Sequence, residues 1–137
     1  MVNSRQKGAQ GEREVAKELF EELGIEFKRD LRQYQSADYG DLVAQVDNFP
    51  FSIEVKRHKK GWTCRPEWEE QTQKSAQVTN QYPCVIYRFD GQQWRCRIWF
   101  SALAESYGAT CTHDGKVDLS IHDFAWVARE IMSGRAL

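Results

Sequence analysis

Two short alternating runs separated by a four-residue turn constrain this chain more than any other feature. Residues 41–46 read Asp-Leu-Val-Ala-Gln-Val and residues 51–57 read Phe-Ser-Ile-Glu-Val-Lys-Arg, with Asp47-Asn48-Phe49-Pro50 between them. Period-two alternation bounded by turn residues predicts the two strands of a hairpin. Successive side chains point to opposite faces of a strand. Phe51, Ile53 and Val55 therefore share one face, and Ser52, Glu54 and Lys56 the other. On the partner run, Leu42, Ala44 and Val46 oppose Asp41, Val43 and Gln45. A turn centred between Asn48 and Phe49 puts Asp41 across from Lys56 and diagonal to Glu54, all on one face and within side-chain reach.

Two carboxylates and a lysine on one sheet face admit two readings. One is a solvated ladder of ion pairs, which contributes little to stability. The other is a metal-assisted site for phosphodiester hydrolysis. Asp41 and Glu54 offer hard oxygens suited to Mg²⁺, with Mn²⁺ as a substitute. Lys56 can hold a water and offset phosphate charge. The hairpin alone fits both readings equally. Glu26-Phe27-Lys28 repeats the Glu-x-Lys spacing, and Asp114-Gly115-Lys116 is turn-like, but neither follows a hairpin partner with an upstream acid.

The first helix favours the second reading. Val15, Ala16, Leu19, Phe20 and Leu23 form an apolar stripe that predicts a helix over 4–23, with Ser4 as N-cap and Gly24 as its stop. Extended backwards, the stripe reaches Glu12, a third carboxylate that would lean towards the hairpin. A solvated Glu12, favoured by the helix dipole, is the alternative. Gly8 and Gly11 each cost about 1 kcal/mol in a helix relative to Ala. Among Arg5, Lys7 and Arg13 they suit close approach to a phosphate backbone. The alternative is a helix that begins nearer Gln10.

The rest of the chain supplies the frame. Ile25 to Arg29 is a short strand, and a helix runs from about Arg65 to Asn80 with Pro66 in its first turn. Strands at 83–89 and 93–100 are joined by Asp90-Gly91, and helices follow at Ser101 to Tyr107 and Ile121 to Met132. That order predicts an α/β (α+β) chain with a mixed five-stranded sheet flanked by helices. At 137 residues and 41% hydrophobic, one domain spanning 1–137 is expected. No apolar run suits a membrane span, and residues 1–7 lack an apolar leader, so a cytoplasmic location is expected. Cys64, Cys84, Cys96 and Cys111 have no metal-ligand spacing and read as reduced thiols.

A net charge of −1 announces no partner, but its distribution is uneven. Residues 36–55 carry four acids and no base, whereas residues 56–65 carry five bases and no acid. Arg57, Lys59 and Lys60 read as phosphate contacts. Arg29 and Arg32, with Lys28, could extend that surface. Residues 35–40 read as a loop over the site, with Asp38 as a rival or auxiliary ligand. Trp94, Trp99 and Trp126 read as core or interface residues, and His58 as a solvated loop residue.

Taken together, these residues resemble the PD-(D/E)XK nuclease superfamily, and more narrowly the archaeal-type and phage-borne Holliday-junction resolvases. The resemblance lies in Lys7-Gly8-Ala9-Gln10-Gly11-Glu12-Arg13, in Asp41-Leu42-Val43, and in Glu54-Val55-Lys56 thirteen residues beyond Asp41. It covers roughly residues 5–90. The segment 101–137 and the loop 57–65 have no counterpart in it, and Gly40 stands where proline often precedes the metal Asp. The resemblance implies a restriction-endonuclease-like core. It makes Glu12, Asp41, Glu54 and Lys56 catalytic, with the three acids as metal ligands, and makes Gln71 an auxiliary residue on the following helix. It also implies a homodimer that nicks four-way DNA junctions symmetrically. A restriction-like, nicking or repair nuclease is the alternative. A non-catalytic DNA-binding protein is a weaker one.

Overall fold

A strand buried on both faces sits at the centre of the molecule, and its sequence explains why. Phe51–His58 (β3) carries Phe51, Ile53 and Val55 into one apolar layer, while Ser52 and Glu54 are buried under a helix on the other side. In the computed structural model the described residues are 4–30 and 41–136, with side chains described from residue 8 onward. The first helix, Ser4–Leu23 (α1), leads to Phe27–Arg29 (β1) and Leu42–Ala44 (β2). After β3 come Pro66–Thr79 (α2), Tyr82–Phe89 (β4), Arg95–Trp99 (β5), Phe100–Ser106 (α3), Lys116–Leu119 (β6) and Ile121–Arg135 (α4).

The strands form one sheet in the order β1-β2-β3-β4-β5-β6. Only β3 and β4 are parallel, joined by α2 as their crossover, and the other neighbours are antiparallel. The main core joins Val15 and Leu19 of α1 to Phe51, Ile53, Val55, Cys84, Ile86 and Cys96 of the sheet, and to Phe124, Val127 and Ile131 of α4. A smaller cluster of Cys64, Trp68, Val85, Tyr87 and Phe89 lies on the α2 face. Helices on both faces make the central strands fully buried.

Among the described residues the sheet has six strands where five were expected. The extra strand, β6, is only four residues long and alternates Val117 and Leu119 with Asp118. Four residues are too few for periodicity to separate a strand from a turn. Tertiary pairing with β5 creates it: Cys96 faces Leu119, and Ile98 faces Val117.

The hairpin register also differs from expectation. Leu42 pairs with Ile53, which sets Asp41 opposite Glu54 and makes Lys56 the diagonal neighbour. The loop between the strands is not a tight turn, because Phe49 is pulled into the core against Phe27 with ring centroids 5.0 Å apart. The slip is by two residues. An even slip leaves every side chain on its face, so the acids and the lysine still share one. In α1 the stripe is narrower than expected. Val15 and Leu19 are buried and Ala16 and Leu23 pack at the margin, but Phe20 is 54% exposed.

Candidate active site

Asp41 is the residue before β2, and its backbone already belongs to the sheet. Its N–H donates to the Ile53 carbonyl at 2.8 Å, and its carbonyl accepts from Asp30 N–H at 3.0 Å. The carboxylate is held as firmly, because Val55 N–H donates to Oδ2 at 2.7 Å. Glu54 faces it from β3 and is fully buried. Ser75 of α2 donates its hydroxyl to Glu54 Oε1 at 3.2 Å. Glu54 Oε2 is buried and has no hydrogen-bond donor among the described residues.

The electrostatics follow from that packing. Burial, then the nearby Asp41 charge, push the Glu54 carboxyl well above its ordinary value. Burial also raises Asp41, against the opposing pull of the Val55 N–H and the Lys56 and Arg29 charges. The two carboxyls lie within hydrogen-bonding reach of each other, yet both are acceptors when ionised. Such a pair needs a shared proton or a cation between them. The orphaned Oε2 and its acidic neighbour therefore fit a divalent metal, since Mg²⁺ uses one or two carboxylates and otherwise keeps water.

The other expected residues fall into three groups. Lys56 is half-buried on the Glu54 face of β3, close enough to lower both acids electrostatically. Gln71 is half-buried on α2, one turn before Ser75, and its carbonyl lies 3.2 Å from the same hydroxyl, whose single proton it shares with Glu54 Oε1. Arg13, Lys59 and Lys60 are exposed.

Other residues are placed otherwise than expected. Glu12 does not join Asp41 and Glu54 in a three-carboxylate cluster, and among the described residues no group of three His, Cys, Asp or Glu side chains could hold a metal. Glu12 is buried and its carboxylate is paired with Arg29, so Arg29 is an internal partner before it is a phosphate contact. Arg57 belongs to the opposite face from Lys56, as its odd position on β3 requires. It lies under α1, 3.3 Å from Glu14 and 3.8 Å from Asp90, and is mostly buried. Gly11 is explained by the same contact. A side chain there would come within 3.3 Å of Arg57 and of Trp94, so the glycine lets α1 sit down on the sheet rather than on DNA.

For Arg5 and Lys7 only the helical backbone is described, and Arg32 and Asp38 lie outside the described residues. His58, expected as a solvated loop residue, is half-buried. It ends β3 with its ring against Trp68, centroids 5.0 Å apart. Trp94 and Trp99 are buried, whereas Trp126 is partly exposed against Tyr107. All four cysteines are free thiols.

Sequence reasoning missed two polar residues of the site. Ser75 carried a signal: Trp68, Thr72, Ser75 and Ala76 recur at three- and four-residue spacing and form the buried stripe of α2. Asp30 carried none. It is buried because the backbone after β1 pairs with Asp41.

A mixed sheet with helices on both faces and an acid pair at its centre defines an α+β nuclease-like fold of the restriction-endonuclease kind. Among solved structures the chain is similar to Hjc of Archaeoglobus fulgidus, a Holliday junction resolvase from an archaeal hyperthermophile. The TM-score is 0.56 at 22% identity, over 89% of this chain and 98% of that one. Among curated proteins none matches. Residues 3–130 match the family described as "Phage putative PDDEXK endonuclease", and the chain belongs to that family. The match extends well into the segment after residue 100 that the motif resemblance left uncovered. No helix among the described residues is long and apolar enough to cross a membrane.

Proposed function

We propose that this endonuclease acts on DNA as a divalent-metal enzyme, with Asp41, Glu54 and Lys56 at the reacting phosphate, and that it resolves four-way junctions as a homodimer. The observation that carries the metal assignment is the buried Glu54 Oε2, which has no donor among the described residues and sits beside Asp41. When bound, Mg²⁺ polarises the scissile phosphate and makes a water a better nucleophile at neutral pH.

The chain's own groups do the positioning. Val55 N–H fixes one oxygen of Asp41, and Ser75 fixes one oxygen of Glu54, so each carboxylate keeps a second oxygen for a cation. Lys56, diagonal to Asp41, holds the attacking water and offsets the charge that develops on phosphate. Arg29 neutralises Glu12 and also lowers Asp41, which keeps the acid cluster from repelling the DNA backbone. Junction preference and the dimer are supported by the fold shared with Hjc and by the Lys7-Gly8 to Glu12-Arg13 signature.

The test uses Mg²⁺ with a fixed four-way junction, a linear duplex and single-stranded DNA of one sequence. Paired symmetric nicks confined to the junction are expected. Equal cutting of the duplex makes the protein a restriction-like, nicking or repair nuclease instead. Asp41→Asn, Glu54→Gln and Lys56→Ala should each abolish cleavage and keep most DNA binding. Full activity in any of them overturns the assignment.

A further inference from the structure

The loop that leaves β3 presents one aromatic side chain to solvent and holds it there. Trp62 is 78% exposed, and its indole has no ring or cation partner among the described residues. The loop is nevertheless pinned on both sides of it. Gly61 adopts φ +149°, and a side chain there would overlap the Phe89 ring, so the backbone lies flat on the smaller apolar cluster. Arg95 donates to the Trp62 carbonyl at 2.8 Å, and Gln92 to the Gly61 carbonyl at 3.5 Å. Arg97 reaches Thr63 Oγ1 at 3.5 Å while it is itself held by Asp118 and Glu69. Cys64 is buried with Trp68, Tyr87 and Phe89.

The surroundings say what such an indole meets. Lys59 and Lys60 are exposed and have no carboxylate partner among the described residues. No acid occurs between residues 56 and 65. The loop begins at His58, four residues along β3 from Glu54, which is about 13 Å at strand spacing. Cations that neutralise phosphates beside an aromatic face are how proteins hold unstacked bases. A continuous duplex offers no free base face. A branch point, a gap or an unpaired nucleotide does.

We propose that Trp62 is a base-stacking wedge that recognises an unstacked DNA base at a discontinuity of the duplex, with Lys59 and Lys60 gripping the adjoining phosphates. The proposal rests on the DNA-nuclease reading above and adds the feature of the substrate that the chain reads.

Binding is measured by fluorescence anisotropy without Mg²⁺. The probes are a duplex with a one-nucleotide gap opposite 2-aminopurine, a four-way junction, and a continuous duplex of the same sequence. Trp62→Ala should weaken the gapped and branched DNAs about tenfold and leave the continuous duplex nearly unchanged. Trp62→Phe should restore most of the loss. Quenching of the 2-aminopurine should be seen with wild type and Trp62→Phe and lost with Trp62→Ala. Lys59→Ala with Lys60→Ala should weaken all three DNAs alike and flatten the salt dependence.

Equal weakening of all DNAs by Trp62→Ala, or none, overturns the proposal. Loss of a dimer on that substitution also overturns it, by assigning the indole to a protein contact. Wild-type protein that binds these DNAs but cuts none with Mg²⁺ removes the nuclease reading and leaves the binding comparison intact. Wild-type protein that binds none of them overturns the wedge.

Discussion

Ser75 shows how much one hydroxyl decides at the residue scale. Its bond to Glu54 Oε1 opposes the burial that raises the carboxyl, and it leaves the other oxygen for a cation. Ser75→Ala removes the only hydrogen-bond donor to this fully buried carboxylate among the described residues, so Glu54 should hold its proton to still higher pH. Metal affinity should fall about tenfold, as for other lost supports of a metal ligand, and the rise of activity with pH should move upward. A Mg²⁺ titration of the cleavage rate at several pH values checks both, and an unchanged titration would sink the role. Ser75 was legible only in part. Small hydroxyl residues at helical spacing mark a stripe, but they do not say that a carboxylate lies beneath it.

At the scale of the element, the end of β3 and its loop show backbone and packing acting together. Gly61 at φ +149° against Phe89 occupies a place no other residue fills without strain. Gly61→Ala should destabilise the fold by about 2 kcal/mol or more, through the backbone and through displacement of the ring. Urea unfolding reads this as a lower midpoint, and an unchanged midpoint would contradict it. The basic run 57–65 was visible in sequence, yet it divides in space. Arg57 turns under α1 to Glu14, whereas Lys59 and Lys60 face solvent. Strand parity alone separates Arg57 from Lys56. The exposure of Trp62 has no such local cause, since it depends on Phe89, Arg95 and Arg97 from two later strands.

For the whole molecule, the buried acid pair links stability to pH and metal. A carboxyl whose folded value is raised binds more protons folded than unfolded. Stability is therefore lost as pH rises from the ordinary 4.5 towards the raised value of about 9 for Glu54. A divalent metal held by the deprotonated pair, as proposed, would reverse the loss. The gain in Tm on adding Mg²⁺ should thus be larger at about pH 8 than at about pH 6. Thermal melts with and without Mg²⁺ test this, and a gain that shrinks with rising pH would contradict it. At a pH above the raised Glu54 value, Glu54→Gln should raise the Tm of the metal-free protein, because the amide still donates to Asp41 where an ionised Glu54 would repel it.

Local chemistry reached a long way into this fold and site. The first helix and its stop at Gly24, the three strands that follow, the hairpin at Asp90-Gly91 and the shared face of Asp41, Glu54 and Lys56 all follow from periodicities along one segment. The face survives even the two-residue slip, because strand parity is a property of the chain. Tertiary structure decided the rest. Phe49 entering the core set which residue faces Asp41, and β5 made a strand of Lys116–Leu119. Arg29 took Glu12 away from the acid pair, and α2 brought Ser75 to it. Each of these depends on a partner distant in sequence, and a side chain's neighbours across space are not encoded in its own period.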